Sequence, residues 1–137
     1  MRIERFEDIK AWQKAKDLSI AIYRLFEKSK DFGFKDQIQS ASVSVMNNIA
    51  EGFERKGNKE FSYFLYVAKG SCGEVRSMLI FAKELGKINE NDFESFSNKQ
   101  RKFQKWSQDS SKHYDSRLLN FQLSTDFKLV SGQRSEC

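Results

Sequence analysis

The sequence predicts an all-α fold, an up-and-down helix bundle followed by an irregular C-terminal tail, and two observations carry that expectation. Apolar residues recur every three to four positions over three long stretches, the spacing that lines one face of a helix. Proline is absent from all 137 residues, whereas strand-rich domains usually punctuate their turns with it. The longest uninterrupted apolar run, Met78 to Ala82, is far short of the about 20 residues a membrane-spanning helix needs. The charged start Met1-Arg2-Ile3-Glu4-Arg5 also lacks the apolar region of a signal peptide, so a soluble cytoplasmic protein is expected.

The first helix is marked by Phe6, Ile9, Trp12, Ala15, Leu18, Ile22 and Leu25 or Phe26, with Lys10, Lys14, Asp17, Arg24 and Lys28 on its other faces. It is expected to end in Ser29-Lys30-Asp31-Phe32-Gly33, with Gly33 as the break. A second stripe, Phe34, Ile38, Ala41, Val45 and Ile49, is widened by Val43, Met46, Ala50 and Phe53, so this helix should touch two neighbours. Its small residues Ser40, Ala41, Ser42 and Ser44 allow close approach of another backbone, and Gly52 to Asn58 reads as the following loop, with Asn58 a candidate cap.

The third helix has the longest pattern: Phe61, Phe64, Leu65, Ala68, Cys72, Val75, Leu79 and Ala82, stopping at Gly86. Gly70 and Gly73 lie inside it, each costing about 1 kcal/mol relative to alanine, which points to close packing against another helix. A glycine-x-x-glycine phosphate clamp has the same spacing but occupies loops. A fourth helix from Asn91 to Trp106 rests on a thinner stripe of Phe93, Phe96, Phe103 and Trp106. Residues 1–106 are therefore expected to form the bundle, and the serine-rich, aperiodic residues 107–137 a polar tail with little order.

Composition narrows the chemistry. Two cysteines, Cys72 and Cys137, and one histidine, His113, supply neither a disulfide framework nor a Cys/His metal cluster, and no cofactor or metal is expected. The bundle aromatics Trp12, Phe26, Phe61 and Phe64 read as core or subunit interface, and Cys72 as a small core residue. His113 lies in the tail without a recognisable nucleophile, so no catalytic residue is assigned. The 24 Lys/Arg outnumber the 19 Asp/Glu for a net charge of +5, which permits an acidic partner without demanding one.

Two groups of cations stand out. Lys99, Arg101, Lys102 and Lys105 interleave with Phe103 and Trp106, a pattern suited to phosphate contact and base stacking. A solvated helix face with the aromatics turned inward is the plainer account of the same residues. The second group is the predicted loop Arg55, Lys56 and Lys59, joined by Lys10 and Lys14.

Three blocks of sequence resemble one family. Phe6-x-x-Ile9-x-x-Trp12-Gln13-x-Ala15, then Gln37-Ile38-x-x-Ala41 with Ser44-Val45-Met46-Asn47-Asn48-Ile49-Ala50-Glu51-Gly52-Phe53-x-Arg55, and finally Lys59-Glu60-Phe61-x-x-Phe64-Leu65-x-x-Ala68-x-Gly70-Ser71-x-x-Glu74 are similar to the small bacterial four-helix bundle proteins. These include proteins encoded by intervening sequences in large-subunit ribosomal RNA genes, with the accessory variability protein of diversity-generating retroelements as a relative. Over residues 3 to 90, the resemblance implies an antiparallel four-helix protomer that assembles into a homopentamer. In the retroelement relative it further implies a basic surface that contacts nucleic acid and a reverse transcriptase. Met46 stands where many members have proline and Gln39-Ser40 where many carry arginines; the tail replaces a regular continuation of helix 4.

The signature blocks also contain Glu51 and Glu74, which could serve a metal-dependent nuclease if they met in space. The residue types favour instead a structural or subunit-interface hydrogen-bond network of Asn48, Glu51, Arg55, Ser71 and Glu74. The expected function is a non-enzymatic, oligomeric accessory protein whose basic surface engages RNA or DNA, beside a nucleic-acid enzyme such as a reverse transcriptase. A scaffold that binds only protein is the alternative, and a nuclease the third reading.

Overall fold

The computed structural model describes residues 3–55 and 57–112, apart from the side chains of residues 103, 104 and 106–112. A short 3-10 turn, Phe6–Asp8, leads into four helices: α1 (Lys10–Leu25), α2 (Phe32–Glu54), α3 (Asn58–Glu84) and α4 (Glu90–Lys112). Short connections force each helix to run antiparallel to the one before it, as predicted for an up-and-down four-helix bundle. The expectations placed on Lys56, His113, Cys137 and the rest of the tail fall outside the described residues.

Two layers of apolar side chains fill the bundle. At one end Ile9, Ala11 and Ala15 of the first segment meet Val45 and Ile49 of α2 and Leu65, Ala68 and Cys72 of α3. At the other, Leu18, Ile22 and Phe26 meet Ile38 and Ala41, then Val75, Leu79 and Ala82, with Ile88 and Phe96 completing the layer. Helix α2 is the central element, packed on both α1 and α3, which is why its apolar face is wide. Its small residues act as predicted: the Ser19 hydroxyl of α1 lies 2.8 Å from the Ser42 carbonyl oxygen and 3.0 Å from that of Ala15. With both serines buried, this contact is available only to short side chains.

Helix ends depart from the sequence expectations for local reasons. The break after α1 lies at Phe26 to Asp31 rather than Gly33, because the Asp31 carboxylate accepts from the Phe34 backbone N–H at 3.2 Å and caps α2. Gly33 consequently sits within the first turn of α2. At the next junction Gly57, in an extended conformation, precedes α3, and Asn58 is its first residue rather than its cap. Gly86 ends α3 as predicted: at φ 71° it allows Lys87 N–H to reach the Ala82 carbonyl at 2.8 Å and Gly86 N–H the Lys83 carbonyl at 2.9 Å. The Asn89 side chain then caps α4 by accepting from Asp92 N–H at 2.8 Å. Helix α4 continues to Lys112, beyond the Trp106 limit suggested by the thin stripe.

Two glycine expectations are corrected. Gly52 belongs to α2 rather than a loop, and a Cβ there would lie 2.7 Å from Phe64 Cβ and 3.1 Å from Phe61 Cδ2. Its missing side chain sets the approach of α2 to α3. Gly70, expected to pack closely on another helix, is exposed, and a Cβ there would meet nothing within 4 Å. Gly73 is partly buried.

Candidate nucleic-acid interface

Antiparallel running order, rather than sequence proximity, collects the predicted cations. The start of α1, the α2–α3 junction and the second half of α4 all lie at one end of the bundle. Lys10 and Lys14 come from the first, Arg55 and Lys59 from the second, and Arg101, Lys102 and Lys105 from the third. Lys99 precedes them near the middle of α4.

Dividing each helix at its midpoint makes the asymmetry explicit. Residues with described side chains within 3–17, 44–71 and 101–105 carry 10 Lys/Arg and 7 Asp/Glu, whereas those within 18–43 and 72–100 carry 8 of each. The net positive charge of the described bundle thus belongs to one half, where a polyanion would be drawn.

On α4, Arg101, Lys102 and Lys105 are exposed at positions i, i+1 and i+4, so they share the outward side of the helix. Phe96 and Gln100 are buried on the opposite side. No described carboxylate forms an ion pair with these three cations. Lys99 is also exposed, with Nζ 5.7 Å from the Phe96 ring centroid. The side chains of Phe103 and Trp106, which completed the predicted aromatic pattern, lie outside the described residues.

The second group is more engaged with its surroundings. Lys10 is exposed and donates to Gln13 Oε1 at 3.4 Å, and Lys14 is partly buried. Arg55 is exposed but donates to Glu51 Oε1 at 2.7 Å, one helical turn away, and its guanidinium lies 5.5 Å from the Phe64 ring centroid. Lys59 is exposed.

The expected polar network is divided into three separate groups of contacts. Ser44 and Ser71 hydroxyls join α2 to α3 at 2.9 Å, and Asn48 Nδ2 donates to the Ser44 carbonyl at 2.7 Å and hydroxyl at 2.9 Å. Glu51 pairs with Arg55, and Glu74 accepts from Gln37 Nε2 at 3.4 Å. Contacts at Ser44–Ser71 and Gln37–Glu74 set the register, putting Glu74 level with residues 37 to 41 of α2. Glu51 lies ten or more residues further along, a rise of about 15–20 Å, so these two carboxylates do not converge. No group of three or more metal-ligating side chains occurs among the described residues. Cys72 is fully buried, and burial pushes its thiol up from 9.0 to about 12, against a smaller opposing effect of Arg76, as befits a core residue.

Sequence reasoning missed two features. Tyr63 and Tyr66 are exposed on α3, one turn from Lys59 and Lys69 respectively, and their departure from the apolar stripe was the available signal. Gln100, which stands between Lys99 and Arg101 in the basic cluster, is fully buried with neither Nε2 nor Oε1 hydrogen-bonded. Its neighbours Lys99 and Arg101 disguised a position on the inward face.

No described helix is long and apolar enough to cross a membrane. No curated protein matches the chain. The 23S rRNA-intervening sequence protein family model matches residues 7–108, spanning the last two residues of the 3-10 turn, all of α1 to α3 and most of α4. With its signature blocks forming the α1–α2–α3 core and its fourth helix in place, the chain belongs to the 23S rRNA-intervening sequence protein family.

Proposed function

We propose that this protein is a non-enzymatic, homo-oligomeric accessory protein, a pentamer, that engages RNA or DNA through the basic end of its bundle. The observation that carries this reading is the gathering of cations from α1, the α2–α3 junction and α4 into the same half of the molecule. Arg101, Lys102 and Lys105 are the strongest phosphate ligands of the set, since they are exposed and no described carboxylate competes for them. Repetition around a ring would convert a modest protomer charge into a multivalent surface. The protein acts in the cytoplasm, beside a nucleic-acid enzyme such as a reverse transcriptase.

Fluorescence anisotropy of a labelled structured RNA, repeated over a salt series with protein of measured mass, tests this. A steep fall of log affinity with log salt is expected, reduced when Arg101, Lys102 and Lys105 become glutamine. A steep slope that these changes leave intact would move the contact to Arg55, Lys56 and Lys59. Absence of binding at low salt would overturn the reading.

A protein-only scaffold is the second reading, favoured by the exposed Phe32, Ile80, Phe81 and Leu85 around the opposite end of the bundle. Nuclease activity with added divalent metal, abolished by Glu51→Gln or Glu74→Gln, would replace both readings.

A further inference from the structure

We infer that the outer face of α3 beside Tyr63 and Tyr66 is a stacking platform for single-stranded nucleic acid, an inference that rests on the nucleic-acid reading above. The two rings are 63% and 55% exposed and lie at i and i+3, on the same side of the helix. Buried Leu65 and Ala68 face away from them, so the tyrosines take no part in the protomer core. Exposed aromatic rings at successive turns offer flat apolar surfaces on which unpaired bases stack, irrespective of base identity.

Cations frame the rings. Tyr63 packs edge-on against Phe64 at 5.3 Å between centroids, and the Arg55 guanidinium sits 5.5 Å from the Phe64 centroid, forming a continuous cation and aromatic surface. Lys59 lies one turn before Tyr63, and Lys69 one turn after Tyr66. The acidic neighbours are Glu51, engaged by Arg55; Glu54, exposed; and Glu60, whose carboxylate lies against Gly57 at the start of α3. Gly70, one turn beyond Tyr66, has open space where a side chain would be, so a strand could pass close to the helix backbone.

This arrangement selects single strands over duplexes. A duplex presents stacked bases whose faces are inaccessible to a side-chain ring, whereas an unpaired strand can lay bases on the rings and phosphates along the lysines. Charge favours this partner over an apolar helix, for which the flanking Arg55, Lys59 and Lys69 would be poor neighbours.

The test compares a labelled oligouridylate with the same strand in an oligouridylate–oligoadenylate duplex, using the full chain. Tyr63→Leu/Tyr66→Leu should weaken oligouridylate binding about tenfold or more, leave its salt slope and the duplex affinity unchanged, and leave the mass by light scattering unchanged. Tyr63→Phe/Tyr66→Phe, which keeps the rings, should bind as the parent does and guards against misfolding of the leucine variant. Parent-like binding by the leucine variant, or a preference for duplex, would overturn the platform while leaving salt-dependent binding through α4 standing. A fall in mass with the leucine variant would overturn it too, assigning the face to contact with a second copy. Failure of the parent to bind any of these strands would overturn both this inference and the nucleic-acid reading.

Discussion

Alanine at Gly52 and at Gly70 should change stability in opposite directions, although both positions are helical. Replacing glycine within a helix gains about 0.5–1 kcal/mol, because the glycine chain has more freedom to lose on folding. At Gly70 nothing lies within 4 Å of the new Cβ, so the whole gain should appear. At Gly52 the Cβ would sit 2.7 Å from Phe64 Cβ, an atom fixed to the α3 backbone that no rotamer change can withdraw. Helices α2 and α3 would have to separate, and overpacking of this kind costs about 1–3 kcal/mol. The net expectation is a loss of about 0.5–2 kcal/mol for Gly52→Ala and a gain of about 0.5–1 kcal/mol for Gly70→Ala. Urea unfolding with unchanged m-values reads both. A Gly52→Ala variant as stable as the parent would refute the steric argument. A destabilised Gly70→Ala variant would mean that another chain occupies that face.

Three other measurements address particular groups. Gln100→Leu should stabilise the protein by about 1 kcal/mol or more, because leucine removes a buried amide with both polar atoms unpartnered; a destabilised variant would mean the amide is hydrogen-bonded in solution. In a Cys137→Ser background, Cys72 should resist a thiol reagent until the protein unfolds. Since the native thiol holds its proton to about pH 12 and the unfolded one only to about 9, stability should fall as pH rises through that interval; rapid labelling of the native protein would refute its burial. The Asp31 carboxyl is held below its usual value, first by the Phe34 backbone N–H and then by Lys87, so its contribution should vanish as pH falls below 3.8. Asp31→Asn retains the cap but not the charge, and thermal melts of the two proteins should converge in acid; an unchanged gap would place the effect elsewhere.

The helices were legible because burial imposes a period on sequence. Ile22, Ile38, Ile49, Val75 and Leu79, all read as stripe residues, are fully buried in the bundle. Helix ends were less legible, since a few local hydrogen bonds decide them: Asp31 moved the start of α2 ahead of Gly33, and Gly57 displaced Asn58 from the cap of α3. The candidate site was legible as a set of cations but not as a place. Lys10, Lys59 and Lys105 are far apart in sequence, and only the alternating direction of the helices brings their segments to one end.

By itself the sequence determined the helical class, the inward stripes, the excess of positive charge and the glycine stop of α3, all properties of residue type and short-range spacing. Tertiary structure decided the meaning of individual residues on those helices. It made Gly52 a contact and Gly70 an open surface, separated Glu51 from Glu74, turned Gln100 inward and left Tyr63 and Tyr66 exposed. The physical reason is that a period specifies which side of a helix is buried, whereas the identity and distance of the neighbour depend on how separate helices cross and in what register.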